Sequence, residues 1–156
     1  MKKVLTILFA SALLAFASFG MANKYGFYFG YGYDGMLGGQ YYLDDDLRLS
    51  LGITPFVGLA IGGSIDYILG RVSLSDDPEQ QLEAYYGVGL GAGMITVLNT
   101  GVFFLQGHGM GGVEYGLPDT DLAVFGELGL GPMLVLASGG TGVDFGYDFK
   151  VGLLFK

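Results

Sequence analysis

Residues 84–95 read AYYGVGLGAGMI, and their alternation decides how the rest of the chain is read. The even positions Ala84, Tyr86, Val88, Leu90, Ala92 and Met94 are apolar. The odd positions are Tyr85, Gly87, Gly89, Gly91, Gly93 and Ile95. Side chains of successive strand residues point to opposite faces, so this stretch predicts a strand with one broad apolar face and one nearly bare face. Glycine is a poor strand former, and four on one face point to crowding on the concave side of a curved sheet. The half-buried strand of a soluble sandwich would carry polar residues there instead.

The same pattern runs outward in both directions. Upstream, residues 24–33 place Tyr25, Phe27, Phe29, Tyr31 and Tyr33 against Gly26, Tyr28, Gly30 and Gly32. Asp34-Gly35 is a two-residue hairpin signal, because both turn positions need positive φ. The return strand covers residues 36–43, with Gln40 and Tyr42 opposite its apolar face. Residues 47–54 set Leu47, Leu49, Leu51 and Ile53 against Arg48, Ser50, Gly52 and Thr54, and Pro55 ends that strand. The fourth strand spans 57–72, with Asp66 and Ser64 on its less apolar face. Downstream, residues 82–97, 102–117, 122–136 and 143–155 complete eight strands, separated by turns at 99–101, 118–121 and 138–142. Pro132 inside the seventh predicts a bulge or a strand end. The polar connection 73–81 is the longest.

Composition agrees with this pattern. Hydrophobic residues make up 51% of the 156 residues and charged residues only 14%, yet no run of about 20 apolar residues follows the N-terminus. An apolar chain without a spanning helix fits a membrane barrel, whose apolar residues are spread over alternate positions. The first residues read as a secretory signal: Lys2 and Lys3, an apolar stretch over 4–16, then small residues up to Gly20-Met21-Ala22. The expected organisation is a signal peptide over 1–22 and a barrel domain over 23–156. Without Lys2 and Lys3 the 7 basic residues become 5 against 15 acidic ones, a net charge of −10, which argues against nucleic acid as a partner. There are no cysteines to staple an exported fold, so closed-barrel hydrogen bonding must hold it.

The apolar faces are the bulky ones. Their Leu, Phe and Tyr could hardly fit inside an eight-stranded barrel, so they are expected outside, with glycine and polar residues facing the lumen. Leu128 and Leu130 would then face lipid, while Gly129 faces the lumen, so Gly129→Ser should be milder than Leu130→Arg. The signal peptide, the eight alternating segments, the final strand FGYDFKVGLLF and the near-terminal Phe155 together resemble small bacterial outer-membrane β-barrels of the OmpA/OmpX type. That resemblance covers the whole mature chain. It implies an all-β, antiparallel up-and-down transmembrane barrel in the bacterial outer membrane, monomeric, embedded in outer-membrane lipid and delivered by the barrel-insertion machinery. It also implies that both termini lie in the periplasm, which puts the longest connection on the side where turns are short. Lys156 follows Phe155 where the family ends on an aromatic residue.

The expected lumen charges are Arg48, Asp66, His108, Glu114, Glu127, Asp144, Asp148 and Lys150, joined by Gln106. Charges in a narrow lumen must be paired or hydrated. Two readings follow: a salt-bridge network that fills and rigidifies the barrel, or a gated polar path, which makes a narrow pore or binding barrel for a small or hydrophobic solute the alternative function. The many inward glycines favour residual space for the second. Glu127 and Lys150 should be near neighbours across the last hairpin. His108 is the sole histidine, and with Glu114 or Glu127 it lacks a serine on its own strand, so the reading is non-enzymatic. One histidine and no cysteine leave no metal site, and no cofactor is expected. Asp76, Asp77 and Glu79 lack the spacing of a calcium loop. A secreted lipocalin-like barrel is the remaining alternative; inward polar residues and outward aromatics argue against it.

Overall fold

The computed structural model describes residues 24–32, 35–55, 59–76, 81–97 and 100–156. The expected signal peptide, Tyr33, Asp34, Val57, Gly58, Asp77 and Glu79 lie outside them. The eight strands are β1 Lys24–Tyr31, β2 Leu37–Tyr42, β3 Leu47–Thr54, β4 Leu59–Ser73, β5 Leu82–Val97, β6 Thr100–Gly116, β7 Leu122–Ala137 and β8 Gly140–Phe155. Each pairs antiparallel with the next, and β1 pairs with β8, so the sheet closes as an up-and-down barrel. Closure pairs Tyr25–Tyr31 of β1 with Phe149–Phe155 of β8, so that end of the wall has no open sheet edge.

The register sets the shape. Gly26, Gln40, Ser50, Ser64, Gly91, Gln106, Met133 and Asp144 form one row of successive partners around the wall. Gly26 itself pairs with Leu154, so the row returns 154 − 144 = 10 residues out of step. This stagger corresponds to strands tilted by about 40°.

The two faces separate as the alternation predicts. Phe27, Phe29, Ile65, Leu90, Phe103, Leu128, Leu130 and Phe145 stand exposed on the outside, and Leu90 is 73% exposed. Arg48, Asp66, Glu127, Asp148 and Lys150 are buried inside at 3% exposure or less.

Four local expectations give way. β1 ends at Tyr31 and β2 begins at Leu37, with Gly35 at φ +95° and the Gly30 N–H bonded to the Met36 carbonyl, while the Asp34-Gly35 turn signal falls partly outside the described residues. Thr100 and Gly101 belong to β6, and Gly140 already pairs with Ala137, so β6 and β8 both begin earlier than the glycines suggested. β4 carries a bulge between Ile68 and Gly70. Past it the inward parity changes, and Arg71 pairs with the inward Tyr85. Pro132 makes neither a register shift nor a strand end. The β6–β7 ladder keeps one register on both sides but skips Gly107, His108, Gly131 and Pro132. Proline lacks the donor that would close the ladder there.

The inward glycines are not spare room. A side chain added at Gly38 would collide with Tyr28, at Gly87 with Met110, at Gly93 with Phe104, at Gly112 with Tyr85, at Gly129 with Asp148 and at Gly152 with Phe125. In every case the colliding residue is the glycine's direct partner on the next strand. Each large lumen side chain lies over the bare backbone beside it. The glycine face is the platform on which the lumen packs. Gly129 faces the lumen as expected, and a serine there would meet the Asp148 carboxylate.

Candidate functional site in the barrel lumen

Arg48 sits inside the lumen with no solvent exposure. β3 places it directly opposite Asp66 on β4. Its Nε and Nη2 donate to Asp66 Oδ2 at 3.2 and 2.8 Å. Across the lumen, Nη2 also donates to Glu127 Oε1 at 2.8 Å, and Nη1 lies 2.7 Å from Glu127 Oε2 outside hydrogen-bonding alignment. One guanidinium thus ties β3, β4 and β7 together. Its planar fork suits this bridging, which a lysine could not reproduce.

The two carboxylates are further satisfied. Ser64 Oγ donates to Asp66 Oδ2 at 3.2 Å, and His108 Nε2 meets Asp66 Oδ1 at 3.0 Å. An ionised carboxylate only accepts, so the proton of that contact rides on Nε2. Tyr85 donates its hydroxyl to Glu127 Oε2 at 2.8 Å. Lys150 pairs with Glu127 across the β7–β8 ladder, its Nζ 3.5 Å from Glu127 and 3.4 Å from Asp148. Lys150 also lies over the Tyr28 ring and Arg48 over the Tyr42 ring, at 5.4 and 5.8 Å. Tyr28, Tyr42, Ile68, Tyr85, Met110, Ala123, Phe125 and Leu154 fill the space around the charges.

Glu114 forms a separate cluster at the end of the barrel where Lys24 and Lys156 lie. Lys24 Nζ donates to both of its oxygens at 2.8 and 3.0 Å, and Lys156 Nζ lies 3.0 Å away. Arg71 Nη1 reaches Glu114 at 3.6 Å and Glu83 at 3.7 Å. Lys24, Arg71 and Lys156 keep 19–35% of their side chains exposed, although Glu114 itself is buried.

Of the eight expected lumen residues, six meet in the central cluster: Arg48, Asp66, His108, Glu127, Asp148 and Lys150. Glu114 stands in the terminal cluster. Asp144 is exposed near the opposite rim, and its carboxylate accepts the N–H of Phe145. Sequence reasoning missed Lys24, Arg71 and Lys156. Arg71 was hidden by the bulge, since strict alternation puts it outside. Tyr85 was legible, because it shares a face with Gly87 and Gly89.

The arrangement can lock a lumen. His108 is turned onto Asp66, and the cations are already engaged by carboxylates. No group of three or more His, Asp or Glu suited to a metal occurs among the described residues. No protein-family model, curated protein or solved structure matches the chain.

Proposed function

We propose that this chain is a small bacterial outer-membrane β-barrel protein of the OmpA/OmpX type, with a structural rather than enzymatic role. The observation that carries the reading is inverted polarity: ionised groups buried inside a closed barrel, and an apolar belt on every strand outside. In water such a belt would be a large exposed apolar patch. In hydrocarbon it is the favoured surface, and the closed ladder satisfies the backbone. Residues 1–22 act as the export signal in this reading, and the barrel-insertion machinery places the protein in outer-membrane lipid as a monomer.

The buried Arg48 cluster and the aromatic packing around it favour a locked lumen over a gated path for solutes. The polarity also disfavours a soluble lipocalin-like barrel. The test is cell fractionation with heat-modifiable gel migration. The reading expects the protein in the outer-membrane fraction, running at a different apparent size unheated and boiled. Recovery as a soluble periplasmic protein without detergent would overturn it.

A further inference from the structure

The seam between β1 and β8 is the one strand pair that no turn joins. Tyr25–Tyr31 meet Phe149–Phe155 across it, and Tyr25 lies 155 − 25 = 130 residues from its partner Phe155. Every other pair in the wall is consecutive in the chain. Bringing such distant segments together costs more chain entropy than closing a hairpin. Strand ends open most easily, and β1 begins where β8 ends, so both strand ends meet at one place on the seam.

Three sets of contacts converge there. The rings of Tyr25 and Phe155 stack with centroids 5.0 Å apart. The Lys156 N–H, directly after β8, donates to the Asp121 carbonyl at 2.9 Å. Inside the wall, the Glu114 carboxylate takes both sides of the seam at once. Lys24, the first residue of β1, donates to both of its oxygens, and Lys156 Nζ lies 3.0 Å from it. Lys24 lies over the ring of its β2 partner Tyr42 at 4.9 Å, which aims its amine into the barrel mouth. Glu114 itself belongs to β6, two strands from β8 and three from β1 around the wall. It is 2% exposed, so it braces the seam from within the barrel rather than along the ladder.

We infer that Glu114 is a latch for barrel closure: one buried carboxylate that gathers Lys24 and Lys156 and holds the β1–β8 seam shut. An ionised carboxylate accepts several donors at once, so two lysines can share it. Arg71 also reaches Glu114, at 3.6 Å, but from β4, which is no part of the seam. The latch acts wherever the barrel resides, so it stands or falls apart from the membrane reading above.

The experiment uses the full mature chain refolded into detergent micelles, with backbone hydrogen exchange read by mass spectrometry. Glu114→Gln should speed exchange about tenfold in peptides covering 24–31 and 149–156, and leave the β3–β4 ladder near the wild-type rate. Lys24→Met keeps the carboxylate and should speed seam exchange about threefold. It carries the test if Glu114→Gln does not fold. Arg71→Met is the control and should leave the seam at the wild-type rate. The chain has no cysteine, so Tyr25→Cys with Phe155→Cys can staple the same seam. Directly paired ladder residues lie within disulfide reach. Once oxidised, that pair should return Glu114→Gln or Lys24→Met to within about twofold of wild-type exchange. Seam exchange unchanged by Glu114→Gln, or by Lys24→Met where the former does not fold, overturns the latch. So does an equal loss in Arg71→Met, or a staple that forms without rescue.

Discussion

The barrel holds two ion clusters built from the same side-chain chemistry but in different surroundings. Around Arg48, charges are removed from water and bound by multiple contacts from six strands, β3 to β8. Around Glu114, one buried carboxylate faces three cations that remain partly in solvent. Removing a partner in the first cluster strands a charge that water cannot reach. Removing one in the second hands its place to water or to a neighbouring cation. The same ion pair is therefore expected to differ severalfold in effect between the two places.

The sharpest way to break this contrast is Arg48→Met. It leaves Asp66 and Glu127 without their shared cation and should cost about 3–5 kcal/mol, read as a shift in urea unfolding of protein refolded into detergent micelles. A loss below about 1 kcal/mol would show that the central charges are hydrated and that the contrast is false.

Gly89→Ala is expected to come next, because the new methyl group would collide with Asp66 and His108 together. Overpacking of this kind costs about 1–3 kcal/mol. Gly109→Ala, with nothing within 4 Å of its added Cβ, is the control and should be near neutral. Equal effects would mean that the lumen glycines are not a packing platform.

Glu127→Gln and Lys150→Met sharpen the comparison within the central cluster. At 3.5 Å their pairing is looser than that of Arg48. A double-mutant cycle should give a coupling of about 1 kcal/mol, well under the Arg48 effect. Strict additivity would assign Lys150 to Asp148 and the Tyr28 ring instead.

The smallest change is expected for Lys156→Met. Its side chain is 35% exposed and Lys24 already holds Glu114, so the loss should be about 0–1 kcal/mol and shrink with added salt. A loss as large as that of Arg48→Met would erase the distinction between the clusters.

Which residues point inward was legible because alternation is a local property with a period of two, and it survives wherever the strand is regular. It failed at Arg71, where one extra residue reverses the parity. It was also silent on partners. Gly129 read only as a lumen position until register set Asp148 beside it, and His108, Glu114 and Glu127 read as one group although Glu114 belongs elsewhere. The inward glycines read as residual space for the same reason: a bare position and the side chain that covers it lie on different strands.

By itself, then, the sequence determined strand number, the inside-out polarity and the chemical kinds of group that share the lumen, since each follows from neighbours one or two residues apart. Tertiary structure decided which charges meet. Arg48 finds Glu127 79 residues away, across a barrel closed with a ten-residue stagger. That stagger is set only when the first strand pairs with the last, and no local pattern along the chain records it.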